Sequence, residues 1–290
     1  MKLILINHRP IKVSFQGERG AYSEEAVICF FNKDVIVKPC KNLYDTFESV
    51  EKKTVDFAIV PVENSIEGSI NETYDLLLSS NLKVFGEINL RIKHSLIACP
   101  GVELKDIRTV YSHPQALAQC RKYIRNLGLK PVATYDTAGS VRMIKLKSSK
   151  TIAAIASARS ADIYGMKILF SEIEDNKNNY TRFFALSFND SSPTGNDKTS
   201  IVFTAKHVPG ALYSVLKEFA DKGINLTKIE SRPTRKTPWE YNFYLDFEGH
   251  REDERCKAIL ESIDEKRMLT KILGSYSKAK SDDYQTANSY

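Results

Sequence analysis

The sequence predicts an α/β protein of two domains, a two-lobed unit followed by a smaller β-α-β-β-α-β unit. Three observations carry this. From Lys12 onward short β-branched runs alternate with stretches of helical period, which points to α/β layers and not to a bundle or an all-β sandwich. The 290 residues, 42% of them hydrophobic, are enough for two cores at a prior of about 150 residues per domain. Residues 189–197, NDSSPTGND, contain no aliphatic or aromatic residue and read as an exposed connection.

Val13-Ser14-Phe15 opens the series as a strand. A helix follows from about Ser23 to Phe31, then a strand at Val35 to Lys38 and a helix from Leu43 to Val50 with Leu43, Phe47 and Val50 on one face. The buried strand Phe57 to Val62 completes a first lobe. After a helix ending at 76-LLLSS-80, the Val-, Ile- and Leu-rich stretch Lys83 to Cys99 is long enough to cross into a second lobe. There Thr109 to Tyr111 reads as a strand and His113 to Leu127 as one helix burying Leu117, Cys120, Ile124 and Leu127 before Gly128 stops it. Strands at Val132 to Tyr135 and Thr151 to Ala156, each followed by a helical stretch, lead to Lys167 to Ile173 and Arg182 to Phe188.

The second domain reads as strand Ser200 to Ala205, helix Ala211 to Lys222, strands Ile224 to Ser231 and Tyr241 to Phe247, helix Asp253 to Glu265 and strand Leu269 to Tyr276. Tyr241, Phe243, Leu245 and Phe247 alternate with Asn242, Tyr244, Asp246 and Glu248, so one face is apolar and the other mostly polar, as in a sheet covered by helices on one side. The expected limits are 11–188 for the first domain, 189–198 for the linker and 199–277 for the second domain. A tail over 278–290, in a stretch without Leu, Ile, Val or Phe, is expected to be disordered.

Composition excludes several classes of function. The longest apolar run, Ala26 to Phe31, is six residues, against the ~20 a membrane-spanning helix needs. The net charge of +6 is scattered among acidic residues and suits a small anionic ligand better than nucleic acid. Five widely spaced cysteines without a C-x-x-C pair argue for a reducing cytoplasm and against a metal site. Leu3 to Ile6, followed by His8-Arg9-Pro10, is too short for a secretory core, so the chain reads as mature from Met1.

Three polar motifs sit where strands end and a fourth where a strand begins. Gly17-Glu18-Arg19-Gly20 precedes a helix whose first N–H groups suit an anion, although such a turn also needs glycine for its own conformation. It lacks the third glycine of a dinucleotide fingerprint and the Lys-Ser/Thr of a P-loop, which speaks against NAD and ATP. Glu63-Asn64-Ser65 emerges from the buried strand Phe57 to Val62, either facing a ligand crevice or capping the next helix. Ser112-His113-Pro114-Gln115 follows another strand with Gln119 about two turns on, or it is an ordinary helix start with Ser112 as N-cap. His113 has no partner identifiable in sequence, and a lone histidine is usually structural. In 175-DNKNNYTRF-183 a turn explains the asparagines, and Thr181 and Arg182 stand where the loop becomes a strand.

Taken in order, FQGERGAYSEEA (15–26), PVENSIEGS (61–69), SHPQALAQC (112–120), DTAGS (136–140) and NNYTRF (178–183) resemble prephenate dehydratases. The second domain resembles an ACT regulatory domain, with GALYSVL (210–216) and ESRP (230–233) matching its phenylalanine-binding segments. No chorismate mutase domain precedes the first strand, so the resemblance is to monofunctional members. It implies two lobes folded like a type II periplasmic binding protein, with the active site between them, joined to a ferredoxin-like ACT domain.

By the same resemblance Thr181 is the essential catalytic residue, with Asn64, Ser112 and Gln119 in its cleft. Glu63, Ser65, Gly20, Arg182 and Phe183 line the substrate, and Gly210, Ala211, Leu212, Glu230, Ser231, Arg232 and Pro233 bind L-phenylalanine. The implied reaction, prephenate to phenylpyruvate with loss of water and CO₂, needs no cofactor or metal. The implied assembly is a cytoplasmic homodimer or homotetramer with no nucleic acid or membrane partner. Ala21, where many members carry Thr, is a variant that the resemblance extends to related bacterial enzymes and to plant arogenate dehydratases, which leaves arogenate as an alternative substrate. A non-catalytic carboxylate sensor is the remaining alternative.

Overall fold

The first β-branched runs form a sheet with a parallel core. The computed structural model describes residues 9–32, 34–205, 208–234, 239–266 and 268–279. It pairs β1 (Ile11–Gln16) in parallel with both β2 (Val35–Cys40) and β3 (Phe57–Asn64). The crossovers are α1 (Tyr22–Phe31) and α2 (Leu43–Glu51), and Leu43, Phe47 and Val50 are buried as their spacing predicts. The two-residue β4 (Gly68–Ser69) folds back on β3, and the helix α3 (Asn71–Ser79) follows. With β5 (Lys83–Arg91) and β11 (Tyr180–Ser187) the sheet order is β2-β1-β3-β11-β5.

The second lobe is built on the order β10-β6-β9-β7-β8, where β6 is Ser95–Ala98, β7 Thr109–Ser112, β8 Lys130–Ala133, β9 Ile152–Ala156 and β10 Lys167–Phe170. β7 runs parallel to β8 and β9, whereas β6 runs antiparallel to β9 and β10. The stretch Lys83 to Cys99 thus supplies a strand to each sheet, as a crossing between lobes requires. Its helices are α4 (Pro114–Gln119), α5 (Arg121–Asn126), α6 (Thr137–Lys147) and α7 (Ala158–Tyr164). Among the described residues no helix is long and apolar enough to cross a membrane.

Two local expectations change. The single helix expected over His113 to Leu127 breaks at Cys120, whose φ of −112° and ψ of 21° close α4 before α5 begins. Cys120 and Ile124 are buried in the core, while Leu117 and Leu127 pack against it partly buried. The strand expected to reach Ile173 ends at Phe170, and Ile173 instead donates its N–H to the His94 carbonyl at 3.0 Å.

The chain divides into two compact units, 9–73 with 88–183, and 74–87 with 184–279. The divisions fall within α3, β5 and β11, so the second unit takes in 74–87, which the sequence reading gives to the first domain. In this unit β12 (Asp197–Ala205), α8 (Ala211–Asp221), β13 (Leu226–Pro233), β14 (Tyr241–Glu248), α9 (Glu254–Glu265) and β15 (Leu269–Ser277) follow in β-α-β-β-α-β order. The antiparallel sheet order β13-β14-β12-β15 is ferredoxin-like. Val215, Phe219, Ile259 and Ile263 from the two helices pack on Phe203, Leu245 and Phe247.

The polar face of β14 is closed off from solvent over Asn242 to Asp246, and only Glu248 at its end is partly exposed. Asn242, Tyr244 and Asp246 are all buried, and each has a partner, as buried polar groups require. Thr204 donates to the Asn242 Oδ1 at 3.0 Å, the Tyr244 hydroxyl donates to the Tyr74 carbonyl at 3.0 Å, and the Ser200 hydroxyl donates to Asp246 at 2.6 Å. A segment over 74–84 covers this face so closely that a Cβ on Gly274 would lie 2.3 Å from the Val84 carbonyl oxygen. From residue 280 the expected tail lies outside the described residues.

Candidate active site

Asn64 ends β3 at the carboxyl end of a buried parallel strand, the position at which open α/β sheets hold ligands. Its Oδ1 accepts from the backbone N–H groups of Ile66 and Glu67 at 3.0 and 3.1 Å. Backbone N–H groups only donate, so these two bonds fix which way the amide faces. Its Nδ2 therefore shares two protons among Thr181 Oγ1 at 2.9 Å, Asn179 Oδ1 at 2.9 Å and the Tyr180 carbonyl at 3.1 Å. Ser65 ties the same turn down, donating to the Asn178 carbonyl at 2.8 Å and accepting from the Tyr180 N–H at 2.9 Å.

That polarity is passed on. Asn179 is fully buried, and with its oxygen facing Asn64 its Nδ2 donates to Gln119 Oε1 at 2.9 Å. The same oxygen lies 2.9 Å from His94 Nε2 and can only accept, so the histidine proton sits on Nε2. Burial holds the His94 pKa below its ordinary value despite the Gln119 bond and the Glu174 charge, which leaves a neutral ring with a lone pair on Nδ1. Tyr22 Oη stands 2.7 Å from Nδ1 and 2.8 Å from the Lys93 carbonyl oxygen, two acceptors for its one proton. Burial first, then the Glu25 charge, lift the Tyr22 pKa well above 10.0 and keep it a donor.

Two kinds of donor are left over. Thr181, 8% exposed, accepts from Asn64, and among the described residues nothing accepts its own proton. The Gln119 NH₂ is likewise unclaimed by protein among them, because only its oxygen is engaged. The site is thus a set of neutral donors drawn from both lobes.

Carboxylates flank it on α1. Burial opposes ionisation of Glu24, but the Gly20 N–H at 2.7 Å with Arg159 and Arg19 at 2.9 and 3.1 Å outweighs it and lowers the pKa. At Glu25 burial wins over Arg159 and Lys93 and lifts the pKa to about 7. The Gly20 amide that the sequence reading offers to a ligand anion is therefore taken by the chain's own Glu24. A Cβ on Gly20 would meet Ser160 Cα at 2.7 Å, so this glycine permits close approach of α7, with Ser157 donating to its carbonyl at 2.6 Å.

The structure brings Thr181, Asn64 and Gln119 together. Ser112 joins β9 instead, its buried hydroxyl donating to the Ile155 carbonyl at 2.6 Å. The N-cap of α4 is His113, whose Nδ1 accepts from the Gln115 N–H at 3.3 Å. Glu63 pairs with Ser69 on β4, and Arg182, next to Thr181 on β11, falls on the opposite face of that strand. Phe183 is buried core at 2% exposure. Asp136, of the DTAGS motif, caps α6 by accepting from the Gly139 N–H at 2.6 Å. Sequence reasoning misses Asn179, His94 and Tyr22; the only signal for Asn179 is that it sits one residue before the strand carrying Thr181. Among the described residues no group of three His, Cys, Asp or Glu is placed to hold a metal ion.

In the second unit Gly210 caps α8 with a φ of 79°, and Ala211 and Leu212 line a cavity of about 390 Å³ with Trp239, Tyr241 and Phe243. Glu230 to Pro233 are on β13, where Pro233 pairs with Tyr241 at the cavity wall and Arg232 turns to Asp75.

Residues 13–191 match the family model of prephenate dehydratase, and residues 199–265 match that of the ACT domain. The chain belongs to the prephenate dehydratase family. A prephenate dehydratase of Methanocaldococcus jannaschii is 43% identical over 265 residues, covering 89% of this chain and 95% of that one. Arogenate dehydratase/prephenate dehydratase 2 of Arabidopsis thaliana is 43% identical over 281 residues, 93% of this chain and 74% of that one. The crystal structure of prephenate dehydratase from Arthrobacter aurescens in complex with L-Phe superposes with a TM-score of 0.85 at 33% identity, covering 93% of this chain and 90% of that chain. The family match spans both lobes and every residue of the donor chain described above.

Proposed function

We propose that the chain converts prephenate to phenylpyruvate, with residues 11–188 catalytic, 189–198 a linker and 199–277 a phenylalanine-responsive regulatory domain. The observation that carries the reading is the Thr181 hydroxyl, which accepts from Asn64 while no described residue accepts its own proton. Prephenate holds a carboxylate and a hydroxyl para to each other on its ring. When the C–CO₂⁻ bond breaks, its electron pair enters the ring and expels hydroxide, leaving CO₂ and an aromatic product without any redox partner. The protein's task is to stabilise the departing oxygen.

An alcohol is too weak an acid to give up its proton at neutral pH, so Thr181 acts by hydrogen bonding. The bond it accepts from Asn64 polarises its O–H and strengthens that donation. Gln119 supplies further N–H groups to the same cleft, and Ser65 holds the turn that carries Asn64, whereas Arg182 on the opposite face of β11, Phe183 in the core and Gly20 and Glu63, engaged within the protein, act at most indirectly.

Regulation by L-phenylalanine is read onto Gly210 to Leu212 and Glu230 to Pro233, supported by the cavity that Ala211 and Leu212 line and by the relative solved with L-Phe. Val208 and Trp239, each more than half exposed and both lining that cavity, offer apolar surface that fits association of ACT domains in a homodimer or homotetramer. The compartment proposed is the cytoplasm. Arogenate is the second substrate reading, favoured by the name of the Arabidopsis relative.

Turnover of prephenate and arogenate side by side, with and without phenylalanine, tests this. Phenylpyruvate is expected from prephenate, and Thr181→Val is expected to lower kcat about 10² to 10³-fold, as loss of a transition-state donor does. Turnover of arogenate alone would move the assignment to that substrate. Turnover of neither would leave a carboxylate sensor.

A further inference from the structure

The hydrogen-bond chain that ends at Thr181 starts at a histidine for which the dehydration step has no use. We propose that His94 is a positioning residue of this site, an Nε2–H donor backed by the Tyr22 hydroxyl at Nδ1, which locks the Gln119 amide so that its NH₂ is presented to the substrate. The inference rests on the dehydratase reading and adds to it the device that orients its donors.

Gln119 Oε1 receives two N–H groups, from His94 and from Asn179, each at 2.9 Å. Turning the amide over would set its NH₂ against both donors, so the two bonds together hold one orientation. Asn179 owes its own orientation to Asn64, but His94 needs a separate lock, because a neutral imidazole can carry its proton on either nitrogen. A proton on Nδ1 would leave two acceptors, Nε2 and Gln119 Oε1, facing each other at 2.9 Å. The Tyr22 hydroxyl has one proton for two acceptors, Nδ1 at 2.7 Å and the Lys93 carbonyl at 2.8 Å, and with that proton turned to Nδ1 it supports the productive form.

His94 has little freedom to do anything else. It is 2% exposed, its N–H donates to Glu174 at 3.0 Å and its carbonyl accepts from Ile173 at 3.0 Å. The Tyr22 ring stands edge-on to it, with centroids 5.5 Å apart at 81°. Both ring nitrogens are matched by protein, so neither is left to exchange a proton with substrate. Tyr22 lies on α1 and Gln119 on α4, so the lock spans both lobes through the residue at their crossover. Donors aimed before the substrate arrives are what a transition-state site needs.

The test compares full-length wild type with His94→Leu, His94→Gln and Tyr22→Phe on whichever substrate the wild type turns over. His94→Leu is expected to lower kcat about 100-fold with KM within about threefold, the signature of misaimed donors. His94→Gln, whose amide nitrogen reaches the place of Nε2, is expected to restore kcat to within about tenfold of wild type. Tyr22→Phe keeps the ring packing and is expected to lower kcat about tenfold. A folded His94→Leu with wild-type kcat, or a His94→Gln no better than His94→Leu, overturns the proposal and leaves His94 as packing. If His94→Leu does not fold, wild-type kcat in Tyr22→Phe overturns it. A wild type that turns over neither substrate defeats the dehydratase reading itself, which is a separate outcome.

Discussion

Asn64 Nδ2 donates to Thr181 Oγ1 at 2.9 Å, and the direction of that bond is set by two backbone N–H groups on the far side of the same amide. Thr181 is thereby an acceptor toward the protein and a donor toward the cleft. Asn64→Asp keeps the oxygen that binds Ile66 and Glu67 but replaces the donor by a second oxygen, which then faces Asn179 Oδ1, the Tyr180 carbonyl and Thr181. The contacts with Asn179 Oδ1 and the Tyr180 carbonyl become oxygen–oxygen contacts, and the Thr181 hydroxyl turns its proton to the carboxylate and away from the cleft. The expected result is a loss of stability of about 2 kcal/mol and a fall in kcat of at least about 100-fold, read from thermal unfolding and steady-state rates. A folded Asn64→Asp enzyme with normal kcat would remove Asn64 from the mechanism.

Gly20 is needed for space as much as for conformation. With a φ of +88° and Ser160 Cα and Cβ within 2.7 and 2.8 Å of where its Cβ would be, Gly20→Ala forces α1 and α7 apart. The overpacking and the left-handed backbone together are expected to cost about 3 kcal/mol, a drop of roughly 6 to 12 °C in melting temperature. Since Gly20 and Ser160 come from different lobes, KM is expected to rise as well. An alanine variant with unchanged melting temperature would mean that the lobes do not close on this contact.

What the sequence reveals about the site follows the range of each interaction. Thr181, Asn64 and Gln119 are legible because a polar residue at a strand end or on a cleft-facing helix turn is an exception to local packing. Asn179 is not, because in its own segment an asparagine before a strand is fully accounted for by a turn; its partner Gln119 is 60 residues away. The same limit applies to β14. Alternation says which residues share a face, but what buries Tyr244 lies 170 residues earlier. The break at Cys120 escapes notice because 3.6-residue spacing continues across it, and only the backbone angles interrupt the helix.

Glu25 makes stability depend on pH near neutrality. Its pKa rises from an ordinary 4.5 to about 7 on folding, chiefly through burial. Between those values the folded chain binds more protons than the unfolded one, so this group's contribution falls as pH rises through that window and is fully unfavourable above it. The ceiling on the effect is about 3 kcal/mol. Glu25→Gln, which cannot ionise, is expected to match wild type at pH 5 and to exceed it at pH 8. Denaturant unfolding at both pH values checks this, and equal stabilities at pH 8 would mean that the carboxylate is solvated when charged.

Arg232 and Asp75 form a bidentate pair in the second unit, with guanidinium contacts of 2.9, 3.0 and 3.1 Å. The arginine is 9% exposed, flanked on β13 by Ser231 and Pro233, while Asp75 stands on α3. Lys271 holds the other end of that helix, donating to the Leu77 carbonyl at 2.7 Å and to that of Ser80. Asp75→Asn removes the anion and leaves a mostly buried guanidinium half-paired. Because the aspartate side is solvent-accessible, the cost is expected to be only about 1 kcal/mol. The larger effect is expected on regulation, since the freed arginine lies within the segment read as binding phenylalanine. Half-inhibition should then need at least about threefold more phenylalanine, with uninhibited activity unchanged. Asp75→Glu, which keeps the charge, should respond more like wild type. Inhibition curves for the three proteins decide it: an unshifted curve for Asp75→Asn, alongside a lowered melting temperature, would confine the pair to holding α3 in place.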